Sequence, residues 1–297
     1  MKYPFYTCDV FTNVRFGGNP LAVLPEAEGL STEQMQQIAR EFNYSESAFV
    51  LPGVEGATRT VRIFTPTQEV PFAGHPNIGT AFTLAHSGHL GPLTDELKVV
   101  FDELAGRVPI TVRTEGDAIV CELQAPQSLS LGASLDLELV AQALSLDVAD
   151  IETSIHDPVV ASVGLPFVLV QVRSQSALER ARANVIAMEQ IQSLGVMPDI
   201  HVYCLAQGQH DIHARMFAPF DGVPEDPATG SANCALVALL TLNRPEPQGD
   251  FSWRIAQGVE MNRPSTLLAR TSKDAGEVTG VWIAGTCQMV TEGFISV

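Results

Sequence analysis

The chain has 297 residues and a net charge of −17, from 34 acidic and 17 basic residues. No basic stretch could contact several phosphates, which argues against binding to nucleic acid or anionic lipid but leaves a small anionic ligand open. No run approaches the roughly 18 apolar residues of a membrane span, the N-terminus lacks a signal core, and five scattered cysteines form no CxxC pair, so we expect a reduced cytoplasmic protein.

The first half alternates predicted strands with short helices. Strands are predicted at residues 3–10, 21–24, 47–51 and 60–64, with a hairpin formed by 108–113 and 119–123. A capping-box pattern at Ser31 and Gln34, followed by apolar residues at helical spacing, predicts a surface helix over about 32–42. Small residues over 78–86 predict a short helix.

The second half begins after a link rich in proline and serine at 125–134. Helices are predicted at 135–146 and 183–194, and strands at 200–206, 278–283 and 293–297. The segment 232–242 is nearly all apolar or small, which is typical of a buried helix. We therefore predict an α/β (α+β) protein with two domains, 1–127 and 128–284, in which a C-terminal strand at about 285–297 pairs with the first domain.

One pattern of nine residues occurs twice in the same order. Arg62, Phe64, Pro66, Val70, Pro71, Pro76, Gly79, Thr80 and Ala81 recur as Arg215, Phe217, Pro219, Val223, Pro224, Pro227, Gly230, Ser231 and Ala232. The offset is 153 residues for the first five positions (215 − 62) and 151 for the last four (230 − 79). Chance matching of common residues is the alternative, but nine ordered matches favour two equivalent halves with one substrate site between them.

Each copy of the pattern places proline, glycine and a hydroxyl residue near the start of a helix. Backbone N–H groups at a helix start are unpaired and lie at the positive end of the helix dipole, which makes an anion site. Two such starts could bind a carboxylate. The alternative is that the small residues only allow a buried helix to pack closely.

Three side chains near these segments are candidates for chemistry. Glu46 lies at an element boundary beside apolar residues, where partial desolvation raises a carboxyl pKa toward the range useful for acid/base catalysis. His75 precedes the first predicted central helix, and Asp226 takes the corresponding place before the second. Taken singly, Glu46 is more typical of a loop glutamate, His75 is as typical of a turn histidine, and Asp226 is as typical of a helix N-cap.

The blocks around these residues resemble a known family. They are Gly18-Asn-Pro20, Ser45-Glu46-Ser47, Phe64-Thr-Pro66, Glu69, Pro71-Phe-Ala-Gly-His-Pro76, Glu225-Asp-Pro-Ala-Thr-Gly-Ser-Ala232 and Gln257-Gly258 with Met261 and Arg263-Pro-Ser265. From Asp9 to the C-terminus the chain resembles the PhzF-like phenazine-biosynthesis family. It departs from the usual pattern at Asn77 and Asn262, where threonine and glycine are common.

The resemblance implies a fold like that of diaminopimelate epimerase, with two similar domains, each a curved, mostly antiparallel sheet wrapped around a central helix. The phenazine enzyme isomerises trans-2,3-dihydro-3-hydroxyanthranilate by moving a proton, without metal or organic cofactor. By resemblance, Glu46 is the acid/base, His75 and Asp226 bind and polarise the substrate, and contacts to its carboxylate come from Gly74, Gly230 and Ser231. A small carboxylate substrate, an interdomain site and a homodimer are implied in the same way.

Other functions remain as alternatives. A two-thiol epimerase needs a cysteine at each helix start; Cys234 lies past the second start, inside the apolar segment, and is predicted to be core. A metal site at His201, His210 and His213 lacks a nearby set of carboxylate or cysteine ligands. A metabolite-binding or interaction protein that kept the cleft without turnover is the main alternative from another class.

Overall fold

The chain divides into two structural units. A computed structural model describes residues 1–93 and 96–297, in which unit 1 comprises Met1–Gln124 and Ala284–Val297 and unit 2 comprises Ala125–Ile283. Among the helices of these described residues, none combines the length and the apolar character that a membrane crossing requires.

Unit 1 contains a series of strands around one buried helix. Its elements are β1 (Lys2–Val10), β2 (Asn19–Leu24), α1 (Thr32–Phe42), β3 (Glu46–Pro52), β4 (Arg59–Phe64), β5 (Glu69–Val70), α2 (Gly74–His86), β6 (Glu96–Glu103), β7 (Gly106–Glu115) and β8 (Ala118–Gln124). β1 is antiparallel to β2, β2 is parallel to β3, and β3 is antiparallel to β4. β6, β7 and β8 form an antiparallel meander.

Unit 2 repeats this mixture of mostly antiparallel strands and helices. Its elements are β9 (Ser130–Ser134), α3 (Leu137–Ala143), β10 (Val159–Ser162), β11 (Pro166–Gln171), α4 (Gln175–Arg180), α5 (Val185–Ser193), β12 (Ile200–Leu205), β13 (Ile212–Ala218), β14 (Val223–Asp226), α6 (Gly230–Leu242), β15 (Gly249–Gln257) and β16 (Ser265–Asp274). The last strand, β17 (Glu277–Ser296), begins in unit 2 and ends in unit 1, where it is antiparallel to β1.

α2 and α6 are the central helices of their units, and each has 13 residues. Every residue of α2 except His86 is buried, and most of α6 is buried as well. A Cβ added at Gly79 in α2 would lie 2.5 Å from Leu21 Cδ2, so this glycine allows the helix to approach β2 closely. A helix without a polar face is buried on all sides, which agrees with the sequence prediction for α6.

α1 forms as the sequence predicts. The Ser31 hydroxyl accepts a hydrogen bond from the backbone N–H of Gln34, and the Gln34 side chain accepts one from the backbone N–H of Ser31. This reciprocal capping box fixes the helix start. Met35 and Ile38 face a cluster of buried apolar side chains in unit 1. Local hydrogen bonds and one apolar face therefore determine this helix.

Two predicted boundaries were wrong. The helix predicted at 78–86 begins at Gly74, because Pro76 lies in the first turn, where a missing N–H removes no intrahelical hydrogen bond. The strands predicted at 278–283 and 293–297 belong to the single strand β17. Gly293 pairs with Phe5 in the β1–β17 ladder, so the glycine does not interrupt the strand.

Candidate active site

Glu46 lies against the imidazole of His75 in unit 1. Glu46 is the first residue of β3 and Asn19 the first of β2, and the parallel pairing of these strands places both residues at the same end. His75 is the second residue of α2, with its Nδ1 at 3.4 Å from Glu46 Oε2 and 3.3 Å from Asn19 Nδ2. The fold of unit 1 thus brings two predicted catalytic residues together and adds Asn19 to them.

Burial makes His75 a neutral imidazole. Its side chain is 3% exposed, and desolvation lowers the pKa of His75 to about 3, although the nearby carbonyl of Pro20 opposes the shift. The contact with Glu46 is therefore not an ion pair at neutral pH. Both Asn19 Nδ2 and Glu46 Oε2 therefore lie on the Nδ1 side of the neutral ring. Nε2 is buried and has no hydrogen-bond partner within residues 1–93 and 96–297, so this side of the ring is available to a ligand.

Both central helices begin without a side-chain cap. The N-cap residues Ala73 and Thr229 make no capping hydrogen bond through their side chains, and neither first turn contains an acidic residue. Gly74 is the first residue of α2, and Gly230 and Ser231 are the first two residues of α6, so the first backbone N–H groups of the helices come from these residues. Uncapped helix starts of this kind suit a carboxylate, and binding of substrate there stays a prediction.

Asp226 ends β14 in unit 2 and is not the cap of α6. Its Oδ2 accepts a hydrogen bond from Thr229 Oγ1 at 2.5 Å, and its backbone carbonyl accepts one from Gln257 Nε2 at 2.8 Å. The N-cap is Thr229, three residues later. The prediction that Asp226 takes the place corresponding to His75 was wrong, because His75 lies inside the first turn of α2 and the second residue of α6 is Ser231.

The two helix starts correspond at a different offset from the one that the sequence pattern indicated. Gly74 and Gly230 each begin a 13-residue helix. Asn77 and Asn233 each donate from Nδ2 to the carbonyl oxygen four residues earlier, at 3.0 and 2.9 Å. The offset at the helices is therefore 156 residues (230 − 74 and 233 − 77), not 151. Matching by residue type had paired Gly79, a packing glycine inside α2, with a glycine at a helix start.

An arginine–glutamate pair stands before each central helix. Arg62 donates to both carboxylate oxygens of Glu69 at 2.7 and 2.6 Å, and Arg215 does the same to Glu225 at 2.8 and 2.9 Å. The Arg215 side chain is 3% exposed and the Arg62 side chain 24%. Arg215 also donates to three backbone carbonyls at the end of α4. Bidentate pairs hold the chain before each helix in a defined geometry.

The cysteines and the clustered histidines lie outside the candidate site. All five cysteines are buried free thiols. Cys234 is in the core as predicted, and burial raises its pKa to about 12. Across residues 1–93 and 96–297, no group of histidine, cysteine, aspartate and glutamate is arranged to hold a metal ion. The rings of His210 and His213 contact each other, and His201 is buried against Asn233.

Sequence reasoning missed four polar residues near the candidates: Asn19, Thr229 and Gln257, which contact a candidate directly, and Asn233, which contacts Thr229 and Gln257. Three of them lie in blocks that carry the family resemblance, which was the available signal. Their contacts join positions 56 residues apart for Asn19 and His75, and 28 residues apart for Gln257 and Thr229. Only the folded chain shows such long-range hydrogen bonds.

A second buried carboxyl group lies beside α2. Glu103, the last residue of β6, is 8% exposed, and neither of its carboxyl oxygens has a hydrogen-bond partner among the residues that the structure describes. Desolvation raises the pKa of Glu103 to about 8, Asp102 adds to the shift, and the side chain of Asn77 opposes it. Asn77 Oδ1 is also a buried acceptor without a partner there.

We expect Glu103→Gln to increase the free energy of unfolding at pH 9 and to leave it nearly unchanged at pH 4. The raised pKa means that the unfolded chain binds fewer protons than the folded chain between the ordinary value of 4.5 and about 8, so wild type loses stability as the pH rises through this window. Glutamine does not titrate, so the variant does not lose this stability. Urea denaturation at several pH values measures the difference, and parallel curves for the two proteins would contradict the assignment.

Comparison with known proteins covers nearly the whole chain. Residues 8–293 match the family model described as phenazine biosynthesis-like protein. Trans-2,3-dihydro-3-hydroxyanthranilate isomerase of Pseudomonas aeruginosa is 35% identical over 290 residues, which cover 97% of this chain and 98% of the relative. An uncharacterized isomerase of Mesorhizobium japonicum is 36% identical over 296 residues, which cover 96% of each protein.

A solved structure extends the comparison to the fold. The phenazine biosynthesis protein of the PhzF family from Bacillus anthracis is 26% identical, with a TM-score of 0.90 over the whole of both chains. This agreement confirms the predicted α/β fold with two similar domains of the diaminopimelate epimerase type. The chain belongs to the phenazine biosynthesis-like (PhzF) family and is an isomerase.

Proposed function

We propose that the protein moves a carbon-bound proton on a small carboxylic acid, with Glu46 as the acid/base and without a cofactor. The observation that carries this proposal is the contact of the half-buried Glu46 carboxyl group with the neutral, buried His75 ring. A carboxylate beside a neutral hydrogen-bond donor can take a proton from carbon while the donor stabilises the charge left on the substrate.

The proposed reaction moves one proton from one carbon to another and consumes no other reactant. The Glu46 carboxylate accepts a proton from one carbon, and the electron pair of that C–H bond shifts into the conjugated system of the substrate. The carboxylic acid so formed then returns the proton to another carbon, and the double bond moves. The neutral His75 ring donates a hydrogen bond to a polar group of the substrate, which lowers the energy of the charged intermediate.

The helix starts and the relatives both support a small carboxylic acid as the substrate. The uncapped N–H group at Gly74 in unit 1 and those at Gly230 and Ser231 in unit 2 each suit a carboxylate, and Asp226 in unit 2 suits an amino or hydroxyl group. The Pseudomonas aeruginosa relative is named for trans-2,3-dihydro-3-hydroxyanthranilate. We therefore propose a dihydro-hydroxyanthranilate-like or amino acid-like substrate. The homodimer that the resemblance implies stays a prediction, and sedimentation velocity can test it.

Product analysis with a panel of small carboxylic acids tests the proposal. The panel contains trans-2,3-dihydro-3-hydroxyanthranilate and several amino acids, and liquid chromatography with mass spectrometry follows each compound. We expect one compound to give a product of unchanged mass and different retention, because isomerisation adds and removes nothing. A compound that shifts the melting temperature at saturation but yields no isobaric product would instead indicate a metabolite-binding protein.

A further inference from the structure

A continuous line of hydrogen bonds crosses the interior of unit 2 and ends at the carboxylate of Asp226. It begins at His201 on β12, continues through Asn233 in α6 and Gln257 at the end of β15, and reaches Asp226 through Thr229. His201, Asn233 and Gln257 are each 0% exposed. Polar side chains from several elements therefore meet in a core whose other members are mainly apolar.

Two backbone groups fix the orientation of the Gln257 amide. Its Oε1 accepts a hydrogen bond from the backbone N–H of Thr229 at 3.1 Å, and its Nε2 donates to the backbone carbonyl of Asp226 at 2.8 Å. A backbone N–H only donates and a carbonyl only accepts, so turning the amide over would lose both bonds. Gln257 Nε2 is thus the donor in its 3.0 Å contact with Thr229 Oγ1.

The backbone also fixes Asn233, and through it the tautomer of His201. Asn233 Nδ2 donates to the carbonyl of Thr229 at 2.9 Å and to Gln257 Oε1 at 2.7 Å. Asn233 Oδ1 is therefore the atom that faces His201 Nε2 at 3.1 Å, and this ring nitrogen must carry the proton. Burial lowers the pKa of His201 to about 4, so the ring is neutral at physiological pH.

In the last hydrogen bond of the line, a hydroxyl group donates to the carboxylate. Thr229 Oγ1 accepts from Gln257 Nε2, so its own hydroxyl proton is directed at Asp226 Oδ2, 2.5 Å away. A hydrogen bond to a carboxylate is shorter and stronger than one between neutral groups. Every donor in the line consequently points toward Asp226, and successive bonds polarise one another.

We propose that Thr229, Gln257, Asn233 and His201 are positioning residues that hold the Asp226 carboxylate in the orientation used by the isomerase. This inference rests on the substrate contact proposed above for Asp226. Of these four residues, Thr229 donates to the carboxylate, Gln257 donates to Thr229 and to the backbone carbonyl of Asp226, and Asn233 and His201 act through Gln257. A buried polar network costs desolvation that apolar packing would avoid, so a network that ends on one candidate carboxylate favours a role in function beyond stability.

The tautomer of His201 tests the direction of the line without any substrate. In ¹⁵N NMR spectra of protein labelled at histidine, His201→Gln identifies the signals of this ring. We expect the proton on Nε2 across the stable pH range, since the ring is neutral there. A proton on Nδ1 would reverse the first bond of the line and would overturn the inference.

A matched pair of variants tests the function of the line. Thr229→Val keeps the shape of the side chain and removes the hydroxyl group, whereas Thr229→Ser keeps the hydroxyl group. With the substrate found by product analysis, we expect Thr229→Val to lower kcat/KM by about 10- to 100-fold, because small misplacements of a reacting group are costly. We expect Thr229→Ser to rescue activity to within about threefold of wild type. A purely structural role would lower the melting temperature of Thr229→Val without this selective rescue.

Asp226→Asn, measured beside these variants, separates the two proposals. If Thr229→Val keeps the wild-type kcat/KM while Asp226→Asn loses activity, the positioning role is overturned and the contact proposed for Asp226 stands. If Asp226→Asn also keeps wild-type activity, the proposed contact of Asp226 fails and the inference falls with it. Loss in both Asp226→Asn and Thr229→Val, with rescue by Thr229→Ser, supports both.

Discussion

Glu46→Gln is expected to lower kcat by about 10²- to 10⁴-fold, which is the range that general acid/base catalysis contributes, and to leave ligand affinity within about tenfold. The amide has the shape of the carboxyl group and keeps a polar atom near His75 Nδ1, which lies 3.4 Å from the carboxylate in wild type. An amide cannot accept a proton from carbon. Steady-state kinetics give kcat, and isothermal titration with the substrate or its product gives the affinity.

The control is Glu41→Gln, which alters an exposed glutamate on α1. It makes the same chemical change away from His75, so its kcat should equal that of wild type. Near-normal turnover by Glu46→Gln would show that another group moves the proton. An equal loss in both variants would point to an effect on the fold instead of the chemistry.

Arg215→Met is expected to lower the free energy of unfolding by about 3–5 kcal/mol, the cost typical of breaking a buried ion pair from one side. The guanidinium group is 3% exposed and satisfies the Glu225 carboxylate together with three carbonyls at the end of α4. Methionine fills much of the same space but leaves these acceptors without their donor. Urea denaturation of the two proteins measures the loss.

Arg62→Met provides the matched control in unit 1. Arg62 makes the same bidentate pair with Glu69, and Glu69 is as exposed as Glu225 (19% and 18%), but the Arg62 side chain is 24% exposed and contacts the Thr32 hydroxyl where Arg215 contacts backbone carbonyls. We expect a loss of about 1 kcal/mol, close to the upper end for exposed ion pairs. Equal losses for the two arginines would show that burial does not set the cost of breaking these pairs.

Local sequence determined α1 well, because its capping box and apolar spacing act within eleven residues. It located α2 less well, because the small residues of this helix carry no periodic signal and Pro76 is compatible with several positions in the first turn. β17 was divided in two because its middle lacks the composition of a strand, whereas its ladder with β1 runs through that part.

The candidate site was identified only in part. The family resemblance indicated Glu46 and His75, and the fold of unit 1 places them in contact. It gave no sign that His75 is buried enough to stay neutral, since burial is a property of the folded chain. Glu103 was missed for the same reason: a glutamate at the end of a strand is usually solvated, and only its burial in the folded chain raises its pKa.

Proton NMR in D₂O tests the central claim, that Glu46 transfers a carbon-bound proton. Wild type and Glu46→Gln are incubated with the compound identified by product analysis, and the carbon-bound proton signals are followed. The Glu46 side chain is 19% exposed, so its proton can exchange with solvent between the two transfers. We predict that deuterium enters a carbon position with wild type and not with Glu46→Gln. Deuterium entering at equal rates with both proteins would contradict the assignment of Glu46.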